Sequence, residues 1–300
     1  MRTRVDLPAV ATFLLVTFGA AWLIALPLWT SGLGLNTPGA GVLLVAMMAA
    51  PTLGTLAVVL VLRRRPGTIL RSTGLTSEGG VRSLLPWAAP AWLAPLVLVA
   101  LSLLLGAAVG VFHADLTGFS AFRELLHAAG ADRVPVPVPA LVLIQVVQVL
   151  LVGWINVIPA LGEEWGWRGW LLPALLPLGR WPAILLVGVV WGLWHAPVIL
   201  VGYNYPLEPA PVALLLMVGF CVAAGSLLGW LRLRSDSVWP CAIGHGFVNA
   251  AAGLPLVLAA AGRPIDNATT GLLGWTGWLV MALTLGAATL VGRRRAVHEV

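Results

Sequence analysis

Charge is scarce in this chain and one form of it is missing altogether: only 9% of the 300 residues are charged, and none is lysine. An ordinary soluble domain is about a quarter charged, so these residues cannot cover a water-facing surface. Cysteine is nearly absent as well. Cys221 and Cys241 form no C-x-x-C pattern and have no second cluster beside them. That excludes a disulfide framework and a cysteine metal site, and leaves each as a small buried apolar residue. No internal repeat, low-complexity tract or soluble domain is visible.

What fills the chain instead is apolar: 60% of residues are hydrophobic, and the mean hydropathy is +0.98. The apolar residues come in stretches of roughly 20, each long enough to cross a hydrocarbon core of about 30 Å as a helix. The reading is an all-α fold, a polytopic membrane helix bundle with about eight transmembrane helices over 1–300 as a single membrane-embedded domain. The spans run approximately 8–30, 39–62, 84–112, 138–161, 181–201, 211–232, 239–261 and 271–292. The first follows Met1-Arg2-Thr3-Arg4, a signal-peptide-like start, but its apolar part is too long and no A-x-A site follows. It is read as a membrane helix. The 34 glycines are frequent within spans, where small residues let helices approach closely.

Arginine placement tests this count, because basic residues of short loops gather on the cytoplasmic side. With the N-terminus inside, the inside segments carry Arg2, Arg4, Arg63, Arg64, Arg65, Arg71, Arg82, Arg168, Arg180, Arg232, Arg234, Arg293, Arg294 and Arg295. The outside segments carry only Arg123, Arg133 and Arg263. Both termini are therefore expected in the cytoplasm. The net charge of +6 is spread over helix ends instead of forming one basic surface, so nucleic acid is not an expected partner. These arginines read as topology signals and contacts to anionic lipid of the bilayer. The exclusive use of arginine points to a GC-rich, bacterial genome and hence to a multi-pass protein of the cell membrane.

The longest external link, "LTGFSAFRELLHAAGADRVPVPVPA", contains an amphipathic run, Phe119 to Ala129, expected along the interface. His113 and His127 belong to this wetter region and read as solvent-exposed structural residues.

An ionisable group inside a span costs a few kcal/mol and faces a cavity or a partner. Three stretches carry such groups: "GEEWGWRGW" with Glu163, Glu164 and Arg168; "VVWGLWHAPV" with His195; and "SVWPCAIGHGFVNA" with His245 and Asn249. Glu164 and Arg168 are four apart and can pair on one helical face, whereas Glu163 is turned about 100° away. One carboxylate can thus be neutralised while the other is aimed into a cavity to activate water. The plainer alternative is that both glutamates mark an interfacial helix end. His245 and Asn249 share the same four-residue spacing and so one face, although a lone histidine in a span is more often a packing residue.

Together the three stretches resemble the CPBP family of intramembrane proteases, named for CAAX prenyl proteases and bacteriocin-processing enzymes and also called Abi. Its E-E-x-x-x-R is matched by Glu163, Glu164 and Arg168, its aromatic-x-x-x-H by Trp191 and His195, and its H-x-x-x-N by His245 and Asn249. "SVWP" resembles the usual lead-in to the last motif. The resemblance is specific over about 140–252, the expected catalytic motif region. Trp191 stands where phenylalanine is commoner.

The resemblance implies an intramembrane endopeptidase around a water-filled cavity open to the cytoplasmic side. In that reading Glu163 and His195 hold and deprotonate the attacking water, and His245 and Asn249 donate to the oxyanion. Glu164, Arg168 and Trp191 support them. No cofactor is favoured, although zinc on Glu163, His195 and His245 is the alternative; H-E-x-x-H is absent and Asn249 would be an odd neighbour. The implied partner is a peptide or protein substrate at the membrane, whose identity the sequence does not choose, and it leaves the oligomeric state open. A catalytically idle membrane partner or immunity factor is a second function class. A transporter is a third, weakened by the lack of symmetry between spans 1–4 and 5–8.

Overall fold

The computed structural model describes residues 4–61, 66–76, 79–131 and 135–298. Arg2, Arg63, Arg64, Arg65 and Arg133 of the charge pattern lie outside these residues, as do the side chains of Arg293, Arg294 and Arg295. Among the described residues the fold is all-α, with no strand and one isolated bridge between Ala114 and Ala259. In lipid this is the expected outcome, because a helix satisfies its own backbone groups.

The first half comprises α1 (Leu7–Thr30), α2 (Ala40–Met47), α3 (Ala50–Val61), the short α4 (Pro66–Ser72) and α5 (Leu85–Ala108). After α6 (Ser120–Ala128) comes a long helical tract of α7 (Val138–Val152) and α8 (Val157–Glu164). A π-helical turn over Trp165–Leu171 then leads into α9 (Leu172–Leu175). The chain continues through α10 (Arg180–Trp194), α11 (Ala196–Ile199), α12 (Ala210–Ser235), α13 (Trp239–Ala251), α14 (Leu254–Leu258) and α15 (Trp275–His298). Many of the prolines that might have broken these helices start them instead. Proline stands in the first turn of α1, α5, α7, α12 and α13, where its missing N–H has no partner to lose.

Among the described residues five helical stretches are long and apolar enough to cross a membrane: Leu7–Thr30, Ala40–Val61, Leu85–Ala108, Val138–Leu178 and Ala210–Ser235. The other three expected spans hold shorter or interrupted helices. The 181–201 span divides at His195 into α10 and α11, and 239–261 divides after Ala251 into α13 and α14. The apolar part of α15 is Trp275–Val291. Large apolar side chains face outward along these helices, among them Leu15, Leu104, Ile158, Leu215 and Leu283. So broad an apolar exterior is unsuited to water, and lipid is the solvent it fits.

Within the bundle α10 packs along α12, α1 along α3, and α13 against both α5 and α8, while α15 lies on α5 and α12. Glycines set several of these distances, as between α10 and α12 and between α13 and α8. A Cβ on Gly192 would come 2.5 Å from the Val218 Cα, and one on Gly246 would come 2.8 Å from the Val157 nitrogen. The lead-in to α13 is tied down separately: Val238 N–H and Ser237 Oγ donate to the Gly74 carbonyl, and Trp239 Nε1 donates to Leu75.

Two arginines of the charge pattern are not loop charges. Arg168 is fully buried and Arg232 is 4% exposed, so neither can meet a lipid headgroup. Arg232 instead bonds Asp236 at 3.0 Å. Cys221 and Cys241 are free and buried, as expected.

Between α5 and α7, α6 occupies the expected amphipathic run and buries Phe122 against Val142 and Val257. Asp115 closes a turn there by accepting N–H bonds from Gly118 at 2.7 Å and Ser120 at 3.1 Å. The Ser120 side chain first, then these backbone donors, hold the Asp115 carboxyl well below the usual carboxylate range. His113 accepts a bond from Arg263 at 2.7 Å on the exposed surface.

Candidate active site

Glu163 and Glu164 are the last two residues of α8, and the wider π turn begins immediately after them. Both are buried, at 3% and 0% exposure, so neither is a surface charge that merely marks the helix end. Such turns occur often at functional sites. Here the turn keeps Trp167 and Arg168 each four residues after one of the two carboxylates.

Glu164 Oε1 accepts from Arg168 Nη1 at 2.6 Å, the pair its spacing predicts, and from His245 Nδ1 at 2.9 Å. A carboxylate oxygen in such a pair accepts, so the His245 Nδ1 carries the proton. One carboxylate therefore joins two motifs that are far apart in sequence. Arg168 places its Cζ 4.3 Å from the Trp191 ring centroid, a cation over an aromatic face. Gly225 makes room for it, since a Cβ there would come 2.9 Å from Arg168 Nη2.

Glu163 has a different set of neighbours. Its Oε2 accepts from two indoles, Trp191 Nε1 at 2.7 Å and Trp167 Nε1 at 3.3 Å. No partner of Oε1 is found among the described residues, and the residue lines a cavity of about 680 Å³.

His195 follows the last residue of α10. Its Nδ1 donates to the Trp191 carbonyl at 2.8 Å; because a carbonyl only accepts, the tautomer is fixed and Nε2 keeps its lone pair in the neutral ring. Cys221 Sγ lies 3.9 Å from the same Nδ1.

The sequence-predicted residues thus come together in two layers. Glu163, His195, His245 and Asn249 all line the one cavity, with Trp191 in its wall. Glu164 and Arg168 sit behind it, fully buried. Away from these groups the cavity wall is largely apolar, with Met48, Trp87, Leu98 and Leu227.

Several participants are missing from the sequence reading: the indole donor Trp167, and Asn156, Tyr203 and Asn204 of the cavity wall; Trp191 is in that reading as a supporting residue, without its bond to Glu163. Trp167 had one signal, standing four residues after Glu163 just as Arg168 stands four after Glu164. Among the described residues no group of three or more His, Cys, Asp or Glu is placed to hold a metal ion. Glu163, His195 and His245, the set zinc would need, do not form such a group.

Residues 145–251 match the family model described as type II CAAX prenyl endopeptidase Rce1-like. That segment runs from α7 to the end of α13 and contains all three polar motifs. A comparison with curated proteins gave no match. The segment that carries Glu163, His195, His245 and Asn249 of the cavity wall is thus similar to the CAAX prenyl endopeptidases, the grouping that its motifs resemble.

Proposed function

We propose that the chain is an intramembrane endopeptidase that hydrolyses a peptide bond with a water activated by Glu163 and His195. The observation that carries this reading is the asymmetry of Glu163, which lines the cavity: one oxygen is held by two indoles, and the other has no partner among the described residues.

In the reaction Glu163 takes a proton from water as the water oxygen bonds to the scissile carbonyl carbon. His195 accepts the water's other hydrogen bond at Nε2 and orients the lone pair for attack. Negative charge then develops on the carbonyl oxygen, where the Asn249 amide and the His245 Nε2 donate to it. Donation from Nε2 needs a second proton on His245, for which Glu164 supplies the counter-charge at Nδ1. As the C–N bond breaks, the proton held by Glu163 passes to the leaving amine. No step is routed through a metal.

The substrate is a peptide or protein segment presented at the membrane, and the apolar wall suits an apolar or lipid-bearing one. In the same reading eight helices cross the cell membrane of a bacterium as a single domain, with both termini in the cytoplasm and the cavity reached from that side.

The test is cleavage of a fluorogenic peptide ending in a farnesylated cysteine and three apolar residues, by detergent-purified protein stripped of metal and assayed for zinc. The metal-depleted parent should cleave it, and Glu163→Ala should lose at least about a hundredfold in rate while remaining folded. Recovery of activity only with added zinc would replace this mechanism by a metal-assisted one. Equal rates in parent and variant would remove Glu163 as the base.

A further inference from the structure

Trp191 is a supporting residue in the sequence reading, and the structure shows it in contact with Glu163, Arg168, His195 and His245. Its Nε1–H donates to Glu163 Oε2 at 2.7 Å. Its face carries the Arg168 guanidinium, 4.3 Å from the ring centroid. Its carbonyl accepts the Nδ1 proton of His195, and its ring lies edge-on to His245 with centroids 5.2 Å apart. The residue is 2% exposed, so the bond to Glu163 meets little competition from water.

A phenylalanine would fill most of the same space, keep the ring contacts and leave the backbone carbonyl in place. It would have no N–H. The chemical difference between the two residues is therefore one hydrogen bond to the carboxylate, and that bond is the shorter of the two that Oε2 receives. Hydrogen bonds to charged groups are the stronger ones, and a cation over the indole face polarises its N–H further.

We propose that Trp191 is a positioning residue for Glu163: its indole N–H pins Oε2 and so turns Oε1 toward the water and the scissile carbonyl. This rests on the reading of Glu163 as the base. The bond has one opposing effect, because it withdraws charge from the carboxylate and makes proton uptake less favourable. Orientation outweighs it, since misplacing a reacting group by about 1 Å can cost about a hundredfold in rate. Trp167, at 3.3 Å on the same oxygen, is the weaker partner and would not hold the angle alone.

The experiment compares parent, Trp191→Phe and Glu163→Ala on the farnesylated fluorogenic peptide, with thermal unfolding in detergent on the same samples. Indole N–H spectra of ¹⁵N-labelled protein are recorded alongside, the Trp191 signal being assigned by its loss in Trp191→Phe. A folded Trp191→Phe with kcat lowered about tenfold and KM within about twofold of the parent supports the proposal, since a merely structural defect would not confine itself to kcat. A Trp191 indole proton that moves upfield in Glu163→Ala supports the bond itself, even where Trp191→Phe fails to fold. Parent kcat in Trp191→Phe beside an inactive Glu163→Ala overturns this inference alone, as does an indole signal unmoved by Glu163→Ala. No cleavage by the parent, or parent-like cleavage by Glu163→Ala, overturns the reading of the site and this role with it.

Discussion

The molecule holds polar groups in place in two different ways. In the buried cluster behind the cavity, side chains bind side chains: Glu164 meets Arg168 and His245, and Glu163 meets Trp167 and Trp191. In the loops that follow α5 and α14 much of the polar work falls to the main chain, which satisfies Asp115 through Gly118 and Ser120, while the His113–Arg263 pair stays exposed. The contrast follows from the solvent. Inside the bundle each helix has used its own backbone donors, so a charged side chain must find another side chain. Turns outside the bundle have free N–H groups to offer. The buried cluster is consequently specific and unforgiving, and the loop cluster is tolerant.

The largest expected difference comes from removing an arginine from each region. Arg168→Met leaves Glu164 buried without its cation and should cost about 3–5 kcal/mol, seen as a lower thermal midpoint and less folded protein on gel filtration. Arg263→Met should cost no more than about 1 kcal/mol; similar losses at both sites would break the contrast.

A second, smaller effect sharpens what holds the buried cluster near its helices. Gly192→Leu places side-chain atoms where α12 already lies, against Val218. Overpacking of this kind costs about 1–3 kcal/mol and would shift His195, only three residues on, so activity should fall with stability. An unchanged midpoint and rate would mean that α10 and α12 can separate freely.

The smallest effect belongs to Asp115. Its folded carboxyl lies below the ordinary value of 3.8, so its stabilisation is complete above that value and is lost as the pH falls toward the folded value. Asp115→Asn should therefore unfold at a lower temperature than the parent near neutral pH, with the gap closing in acid. A gap independent of pH would show that the charge is not what the turn uses.

How much of this was legible in sequence differs between the same two kinds of contact. Glu163, Glu164, Arg168, His195, His245 and Asn249 stood out because charged and polar groups are scarce at membrane depth. The Glu164–Arg168 pair could even be derived from its spacing. Trp191 stood out through the motif it shares with His195, but its bond to Glu163 did not, and Trp167 could not be separated from packing residues, since an indole among leucines and valines looks apolar until its N–H is seen to point at a carboxylate. The bond from His245 to Glu164 was equally hidden, because it joins residues brought together only by the packing of α13 on α8. Expected spans were found as helical regions, but the breaks at His195 and after Ala251 lie within continuous apolar runs. Hydropathy carries no mark of such a break.

The π-helical turn over Trp165–Leu171 also has a bearing on how related chains are aligned and redesigned. Such a turn contains an extra residue compared with a regular α-helix, so it takes up one residue while the helix beyond it keeps its face. A chain one residue shorter here would follow the ordinary helical path with Leu172 and Leu175, now buried, still turned to the core. The same deletion in an unbroken α-helix would rotate everything beyond it by about 100°. A single-residue gap placed within this stretch thus keeps equivalent helical surfaces aligned, and a gap moved outside it joins two different ones.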